Sequence, residues 1–430
     1  LKAERSETWR TEERAEHVRQ VVRDMMADAD TRASLLDEEL AAGYNADHFF
    51  LSSTDGSFMF IPYGQLNFRY VLNYIDYDDD NDGDNIESGF ELSRAKIGAR
   101  GHIADPRINY DFLVGLDNTS SNAEVIVDRA YFGFTVKDNL RIGAGLDKIP
   151  YLREEGVPIG GQMAIERSYT NENFTLGRSV GVRADYTVCD NLDWTVMLSN
   201  GRNAAEKFGD SDDVNIRFYD DMVDYAVTTR LDYRVIGERE PIGVRTMDLW
   251  STDFHSWSDT PSILDIGGAF HYQQSETGND SDNDSEWGYT FDFSFKHQGF
   301  SLYSAYMARH EEYEDDDDRR PWGAVVQAGY FLTPDQVVPI CGYEYVDLDD
   351  GVNGNLERAE LGIITAGANY YFNRNYSKRS LDFMYIPDGI PDADDSGLPE
   401  DQHYNLGLIP QSGNDRDDQF VVRTQFQLQF

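Results

Sequence analysis

The sequence predicts an all-β protein, a 16-stranded antiparallel transmembrane β-barrel with an N-terminal amphipathic α-helix. Three observations support this prediction. Apolar and polar side chains alternate at every second position in about 16 separate stretches. The connections alternate between short turns and long acidic loops, as in outer-membrane barrels. The last stretch, residues 419–430, has one apolar face that ends on an aromatic residue: Phe420, Val422, Phe426, Leu428 and Phe430.

Residues 1–45 are predicted to form a helical segment. Between residues 5 and 40, apolar residues recur at spacings of three and four among Arg, Glu and Asp: Val18, Val21, Val22, Met25, Ala29, Ala33 and Leu36. This stripe is too narrow for the helix to bury itself alone. Two interpretations stay open, a single amphipathic helix packed on the barrel and a coiled-coil stalk that joins copies of the protein.

Residues 46–430 are predicted to form the barrel, because the side-chain period is two from Phe58 onward. No run of 18 apolar residues occurs, so a membrane-spanning helix is not expected. The stretch at 300–309 is the one whose two faces are ambiguous. The predicted strands are 63–74, 91–103, 110–116, 130–134, 140–147, 180–186, 192–198, 225–233, 264–272, 287–296, 300–309, 322–330, 337–346, 364–372, 381–385 and 420–430.

The connections divide into two kinds. Short turns, expected on the periplasmic side, are 104–107, 135–139, 187–191, 297–299, 332–336 and 373–376. Long acidic loops, expected on the outer side, are 76–89, 117–124, 151–176, 200–222, 273–286, 310–321, 347–359 and 387–417. Residues 237–262 should form a short turn and do not, so we interpret them as a periplasmic insertion. An even strand number places both ends of the barrel in the periplasm.

The net charge of −42, from 79 acidic and 37 basic residues, excludes nucleic acid as a partner. A barrel of about 16 strands is too wide for its own side chains to fill, so we expect a water-filled channel. Its inward rows mix Arg and Lys with Asp. These charges either pair across strands and stiffen the wall, or leave unpaired rows that sort ions.

Several stretches resemble the phosphate-selective porin O and P family. They are FELSRAKIGARG at 90–101, DRAYFGF at 128–134, GLDKIPYLREE at 145–155, IERS at 165–168 and GRSVGV at 177–182. The stretch DADTRASLL at 28–36 and the pair Gly43-Tyr44 resemble the planctomycete branch of that family. The resemblance implies a homotrimeric outer-membrane porin with three separate channels. It also implies that the third loop, here 151–176, folds into each channel and narrows it.

The inward rows and the third loop together supply the candidate residues that line and constrict the pore. These are Arg69, Arg94, Lys96, Arg100, Arg141, Lys148, Arg153, Arg167, Arg183 and Arg230. The family's name implies phosphate and other anions as solutes. The acidic loops of this chain repel an approaching anion, so we expect a weak cation preference or little selectivity.

Two acidic loops carry a spacing that favours calcium. Alternating oxygen ligands followed by Gly begin a calcium loop, and they occur at Asp78, Asp80 and Asp82 and again at Asp392, Asp394 and Ser396. Neither stretch has Glu at the twelfth position, so neither is an EF-hand. Calcium bound in the extracellular loops and a solvated acidic face loosely bridged by divalent ions both stay open.

These observations favour a passive diffusion channel for small hydrophilic solutes and ions in the bacterial outer membrane, surrounded by its lipid, with the N-terminus in the periplasm. An alternative is a structural protein that tethers or arrays the envelope through cell-wall contact of the N-terminal helix and through calcium-bound loops. Enzymatic activity is not expected, since the sequence has no Gly-x-Ser-x-Gly elbow, no His-x-x-x-His pair and no Cys cluster.

Overall fold

The computed structural model describes residues 40–45, 48–76, 85–117, 124–202, 225–239, 241–242, 253–274, 285–312, 318–349, 360–392, 398, 400–412 and 416–430. The predicted N-terminal helix lies outside these ranges up to residue 39. The predicted helical segment ends too late, because residues 40–45 form a β-strand that pairs with the strand over residues 48–53. Gly43 and Tyr44 lower helix propensity there, and the strand partner supplies the backbone hydrogen bonds.

Sixteen antiparallel strands close a barrel, which confirms the predicted fold and strand number. Strands β3 to β17 and β20 each pair with their neighbours in sequence, β17 pairs with β20, and β20 pairs with β3. The strands are β1 Leu40–Asn45, β2 His48–Ser53, β3 Met59–Ile75, β4 Ile86–Ile103, β5 Asp105–Asp117, β6 Glu124–Lys137, β7 Leu140–Lys148, β8 Arg178–Cys189, β9 Leu192–Ser199, β10 Tyr225–Ile236, β11 Ile263–Gln274, β12 Ser285–His297, β13 Phe300–Glu312, β14 Trp322–Tyr330, β15 Val337–Asp347, β16 Glu360–Asn373, β17 Ser377–Ile386, β18 Ile390–Pro391, β19 Pro410–Gln411 and β20 Gln419–Gln429.

The last strand seals the barrel against the first. β20 pairs with β3 over its whole length, and beyond it the backbone of Phe430 exchanges two hydrogen bonds with Gly64, at 2.9 and 3.1 Å. Closure satisfies the backbone of both edge strands, which is the condition for a sheet to stand in a bilayer. The hairpin β1–β2 is added to the start of β3 through Leu51 and Ser52.

The outward faces carry the predicted apolar rows, which suit contact with acyl chains. Exposed members include Leu66, Phe68, Phe90, Ile97, Phe132, Phe291, Phe372 and Phe383. The ambiguous stretch is β13, whose inward side chains include the buried Tyr303 and Met307. Both faces of β13 are apolar because the lumen beside it is packed with protein rather than water.

The connections confirm a barrel with two different ends. At the turn end, neighbouring strands are joined by a few residues, as at Ala104 between β4 and β5 and at residues 298–299 between β12 and β13. At the loop end, the connections are long. The insertion, residues 237–262, joins β10 to β11 at the turn end.

Three segments enter the lumen. The inner loop, residues 149–177, contains the helices Arg153–Gly156 and Tyr169–Phe174 and the 3₁₀ helix Ile159–Gly161. Part of the insertion, residues 253–257, enters from the turn end. Part of the last loop, residues 398–408, enters from the loop end with the helix Glu400–Leu406. None of the helices in the described part of the chain is long and apolar enough to cross a membrane.

These segments form an apolar core with one side of the barrel. The inward faces of β13 to β17 are largely apolar, and the core also takes in Leu152, Phe174, Trp257 and Leu408 from the entering segments. This corrects the expectation of an inner wall that is polar all round. Apolar residues point inward where a loop, and not water, covers them.

The substitution Gly101→Ala tests the close approach of β3 and β4. A Cβ at Gly101 would overlap the backbone of Met59, whereas a Cβ at Gly89 of the same strand meets nothing within 4 Å. Overpacking of this kind costs about 1–3 kcal/mol. We expect Gly101→Ala to lower the midpoint of thermal unfolding in detergent, followed by gel mobility, and Gly89→Ala to leave it near the original value. Equal midpoints for the two variants would contradict this account of the contact.

Candidate functional site

One end of the inner loop is anchored to the β10–β12 side of the barrel by a buried arginine. Arg153 directs Nη2 to Asp232 Oδ1 at 2.6 Å and Nε to Asp292 Oδ1 at 2.5 Å. Arg230 bonds both of these carboxylates, and it also donates to the carbonyl of Tyr151 at 2.8 Å. Two guanidinium groups therefore neutralise two buried carboxylates, and this closed set fixes where the loop enters the lumen.

The middle of the inner loop, at Ile165 and Glu166, is anchored on the opposite side of the barrel. Glu166 Oε1 accepts hydrogen bonds from Arg69 on β3 at 2.8 Å and from Arg94 on β4 at 2.5 Å. The backbone N–H of Ile165 donates to Asp382 of β17 at 3.2 Å. Since β3 and β4 lie across the barrel from β10 and β12, the loop spans the lumen as a bridge.

Local capping holds the inner loop in shape. Ser168 caps the helix Tyr169–Phe174 by accepting from the N–H of Asn171 at 3.0 Å. Glu154, from the helix Arg153–Gly156, accepts from the N–H and the hydroxyl of Ser168 at 2.9 and 2.7 Å. Burial raises the pKa of Glu154. The two short helices are thus joined by one buried carboxylate, which stabilises a segment too short to be helical alone.

The last loop is also held inside the lumen, by two arginines of the barrel wall. Arg69 donates to the carbonyl of Asn405 at 2.6 Å, and Arg423 of β20 donates to the carbonyl of Leu406 at 2.6 Å. Arg423 also forms a two-bond pair with Asp382, at 2.8 and 2.9 Å. The helix Glu400–Leu406 therefore presents its C-terminal carbonyls to cations of the wall, which is the favourable polarity for a helix end.

Among the described residues, six cations on β4 to β8 and in the inner loop keep solvent contact and lie close together, and we call them the cation row. They are Arg94 and Lys96 on β4, Arg129 on β6, Lys148 on β7, Arg167 in the inner loop and Arg178 on β8. This defines the side of the barrel, from β4 to β8, along which water reaches charged groups.

The cations of this row lie in front of the carboxylates that they bind. The exposed side-chain fraction is 18 % for Arg94 against 3 % for Glu166, and 20 % for Lys96 against 7 % for Asp128. Arg129 is 19 % exposed where Asp111 is 2 % exposed. Two carboxylates, Glu91 and Glu172, also keep partial solvent contact. An ion in this space therefore meets guanidinium and ammonium groups more often than carboxylates.

Several pairs share one carboxylate. Asp128 Oδ1 accepts from Lys96 at 2.9 Å and from Arg178 at 3.0 Å. Glu155 binds Lys148 at 2.9 Å and Arg167 at 3.3 Å. Arg129, in turn, binds two carboxylates, Asp111 at 2.7 Å and Asp147 at 3.0 Å, so the row and its partners form one connected network of charges.

Two carboxylates of the inner loop, Glu155 and Glu166, stay ionised in this setting. Burial by itself would raise the pKa of Glu166, but the neighbouring arginines, chiefly Arg94, outweigh burial and lower it to about 2. Arg167 and Lys148 likewise overcome burial and lower the pKa of Glu155 to about 2. The negative charges of Glu155 and Glu166 are therefore fixed over the whole physiological pH range.

The structure divides the ten predicted pore residues into two groups. Buried ion pairs hold Arg69, Arg141, Arg153, Arg183 and Arg230. Partial solvent contact remains for Arg94, Lys96, Arg100, Lys148 and Arg167. In this second group, Arg100 lies toward the turn end, with its guanidinium 5.5 Å from the ring centre of Tyr63. Pairing, the first alternative predicted for the inward charges, occurs in both groups, because Arg94, Lys96, Lys148 and Arg167 also bind carboxylates. Sorting of ions by unpaired rows stays a prediction.

Sequence reasoning missed Arg129 and Arg178 of the cation row. Arg129 follows Asp128, and a register shift opposite Leu113 and Val114 lets both neighbours reach partners in the lumen. Counting by twos assigns only one of two adjacent residues to the inside, so a bulge defeats it. Arg178 begins β8 just after the inner loop, where the strand boundary could not be read from periodicity.

The predicted calcium ligands are mostly untested. Asp78, Asp80, Asp82, Asp394 and Ser396 lie outside the described residues. Asp392 is described and follows β18. Within the described ranges, no group of three or more His, Cys, Asp or Glu side chains is placed to hold a metal ion. Calcium binding by the loops stays a prediction.

A closed 16-stranded barrel whose charged lumen is crossed by an inner loop is the architecture of an outer-membrane channel protein. Comparison with known families agrees. The family model described as phosphate-selective porin O and P matches residues 65–224, which confirms the resemblance drawn from the sequence. That segment holds β3 to β9 and the whole inner loop. A comparison with the curated proteins found no match.

Solved structures share the fold at low sequence identity. An anion-selective porin from Comamonas acidovorans is similar with a TM-score of 0.55 and 9 % identity, over 86 % of this chain and 99 % of that one. Salmonella typhi OmpF, in a complex with daunomycin, gives 0.54 and 15 %, over 90 % and 100 %. The outer membrane channel DcaP of Acinetobacter baumannii gives 0.53 and 11 %, over 90 % and 100 %. These likenesses show a porin fold.

The substitution Arg153→Ala tests the anchor of the inner loop. Removing one partner from a buried ion-pair network costs about 3–5 kcal/mol, because Asp232 and Asp292 lose a shared cation. We expect a lower unfolding midpoint and noisier single-channel current as the loop loosens. Arg107→Ala is the matched control, since Arg107 pairs with Asp105 at the exposed turn end and should change neither quantity. Quiet current from Arg153→Ala would show that the loop does not depend on this anchor.

Proposed function

We propose that this protein is a passive diffusion channel whose lumen favours small hydrophilic anions. The observation that carries the proposal is the exposure of charges along β4 to β8, where each cation of the row is more exposed than the carboxylate that it binds. A solute that follows this wall is attracted by fixed cations at close range. The weak cation preference expected from the sequence rested on the acidic loops, whereas the present proposal rests on the charges along β4 to β8.

The acidic loops and the cation row act over different distances. At physiological ionic strength the Debye length is about 8 Å, so the field of charges at the mouth is largely screened before it reaches the interior. Buried and half-buried pairs are screened much less. The loops therefore affect how fast an anion arrives, whereas the row sets which ion is stable inside.

Known relatives point the same way. The family is described as phosphate-selective, and the similar porin of Comamonas acidovorans is described as anion-selective. Neither description names the solute of this chain. The shared fold and the cation row together support anions as a class.

The surroundings of the channel follow from the same proposal. The protein would sit in the bacterial outer membrane with its turn end in the periplasm, as a homotrimer with three separate channels. The hairpin β1–β2 lies at the turn end next to the start of β3, which supports a periplasmic N-terminus. The tethering alternative depends on residues 1–39, outside the described ranges. The absence of enzymatic activity stays a prediction.

Reversal potentials in planar bilayers with a salt gradient test the proposal. A unit charge about 7 Å from an ion changes its energy by about 0.6 kcal/mol in water, which is a factor of about 3 in relative permeability. We expect an anion-selective potential for the unchanged protein. Lys96→Gln and Arg178→Gln should each shift it toward cations by about that factor, since both remove a cation from Asp128.

Two further variants test for a shift in the opposite direction and for no shift. Asp128→Asn should shift the potential toward anions, because it leaves Lys96 and Arg178 without their shared counter-charge. Arg107→Gln, at the exposed turn end, should leave it unchanged. The proposal fails if the unchanged protein prefers cations, or if the Lys96 and Asp128 variants shift the potential in the same direction.

A further inference from the structure

The insertion at the turn end sends a short segment deep into the barrel. We call residues 253–257 the turn-end plug. Phe254, His255, Ser256 and Trp257 are all at least nine-tenths buried, although the segment belongs to a connection at the rim. A connection that only crossed the rim would keep its aromatic side chains half in solvent.

The plug packs on the apolar side of the wall. The ring of Phe254 lies 4.6 Å from that of Tyr303 on β13, and Trp257 packs against Phe331 at 5.1 Å and Tyr371 at 5.0 Å. The backbone N–H of Ser256 donates to Ser301 at 2.9 Å. These contacts fill the turn-end half of the lumen beside β13 to β16.

Several polar groups of the plug form hydrogen bonds inside the barrel. Tyr371 and the Nε2 of His255 share a hydrogen bond of 2.6 Å. Burial lowers the pKa of His255 to about 4, so the imidazole is neutral at physiological pH. Asp253 accepts from the Trp257 indole at 2.7 Å and pairs with Lys296 at 3.5 Å. The plug therefore carries little unpaired charge into the apolar core.

The plug also contacts the inner loop at Gly161, which we call the tip of that loop. The N–H of Phe254 donates to the carbonyl of Gly161 at 3.1 Å. A Cβ added at Gly161 would lie 2.9 Å from the Cβ of Asp253, so the two segments meet with no space for a side chain. The wall holds the same tip from the side, where Lys378 donates to the carbonyl of Gln162 at 3.2 Å.

We propose that the turn-end plug sets the bore of the channel from the periplasmic side, by closing the β13 to β16 half of the lumen and supporting the tip of the inner loop. Solutes then pass only along the cation row of β4 to β8. Phe254 and Trp257 are the residues that determine the size limit, and Gly161 is the point at which plug and loop bear on each other. This inference rests on the proposed channel function.

Both quantities are measured on the full-length protein in the oligomeric state in which it purifies. Single-channel conductance in potassium chloride reports the bore, and liposome swelling with neutral sugars of increasing size reports the size limit. The double variant Phe254→Ala with Trp257→Ala should raise conductance at least about twofold and admit larger sugars. Leu332→Ala, an exposed truncation at the neighbouring turn, should change neither.

A second variant approaches the same contact from the loop. Gly161→Ala leaves the plug intact and inserts a methyl group against Asp253, which pushes the tip of the inner loop away from its support. It should therefore raise the conductance, by a smaller factor than the double variant. If the double variant does not assemble, this variant still decides the question. Unchanged conductance and sugar limit in assembled Gly161→Ala, or in the assembled double variant, would overturn the proposal.

The test separates failure of this inference from failure of the proposed function. If the protein conducts with anion preference but its conductance and sugar limit do not depend on the plug, the proposed function stands and this inference fails. If neither the unchanged protein nor any variant conducts, both fail. Neutral sugars report on size alone, so a change in the sugar limit cannot arise from altered charge.

Discussion

Pairing of enclosed charges is the constraint on which the interior of this barrel depends. Once loops cover the inward charges, each must find a counter-charge or a carbonyl, because an isolated ion in such a place is prohibitively unstable. Arg69 shows the result, since it is almost fully buried and binds Glu91, Glu166 and the carbonyl of Asn405 together. The wall, the inner loop and the last loop are thereby held by one side chain.

The same constraint explains why the two sides of the lumen differ. On the β13 to β16 side, many apolar side chains pack against the entering segments, as in the core of a soluble domain. On the β4 to β8 side, charges remain near water and stay solvated. Because one side of the lumen is packed and the other is charged and solvated, a wide barrel can contain a narrow channel.

The sequence predicts the fold to the level of single strands and predicts the lumen only in part. Alternation located all sixteen barrel strands, because a lipid face demands apolar residues at a period of two. It placed Arg94 and Lys96 inside for the same reason. It could not place Arg129, which a bulge turns inward, or His255 and Trp257, whose neighbours lie far away in sequence. Apolar residues in acidic loops, such as Leu406 and Leu408, were the one available signal for the third entering segment.

The three entering segments come from widely separated parts of the chain and meet only inside the finished cylinder. Arg423 of the last strand holds the helix Glu400–Leu406, and Asp382 next to it holds the inner loop. Asp382 and Arg423 also pair with each other across β17 and β20. One pair of wall residues therefore fixes two of the entering segments, so a displacement of either segment is felt by the other through this strand pair.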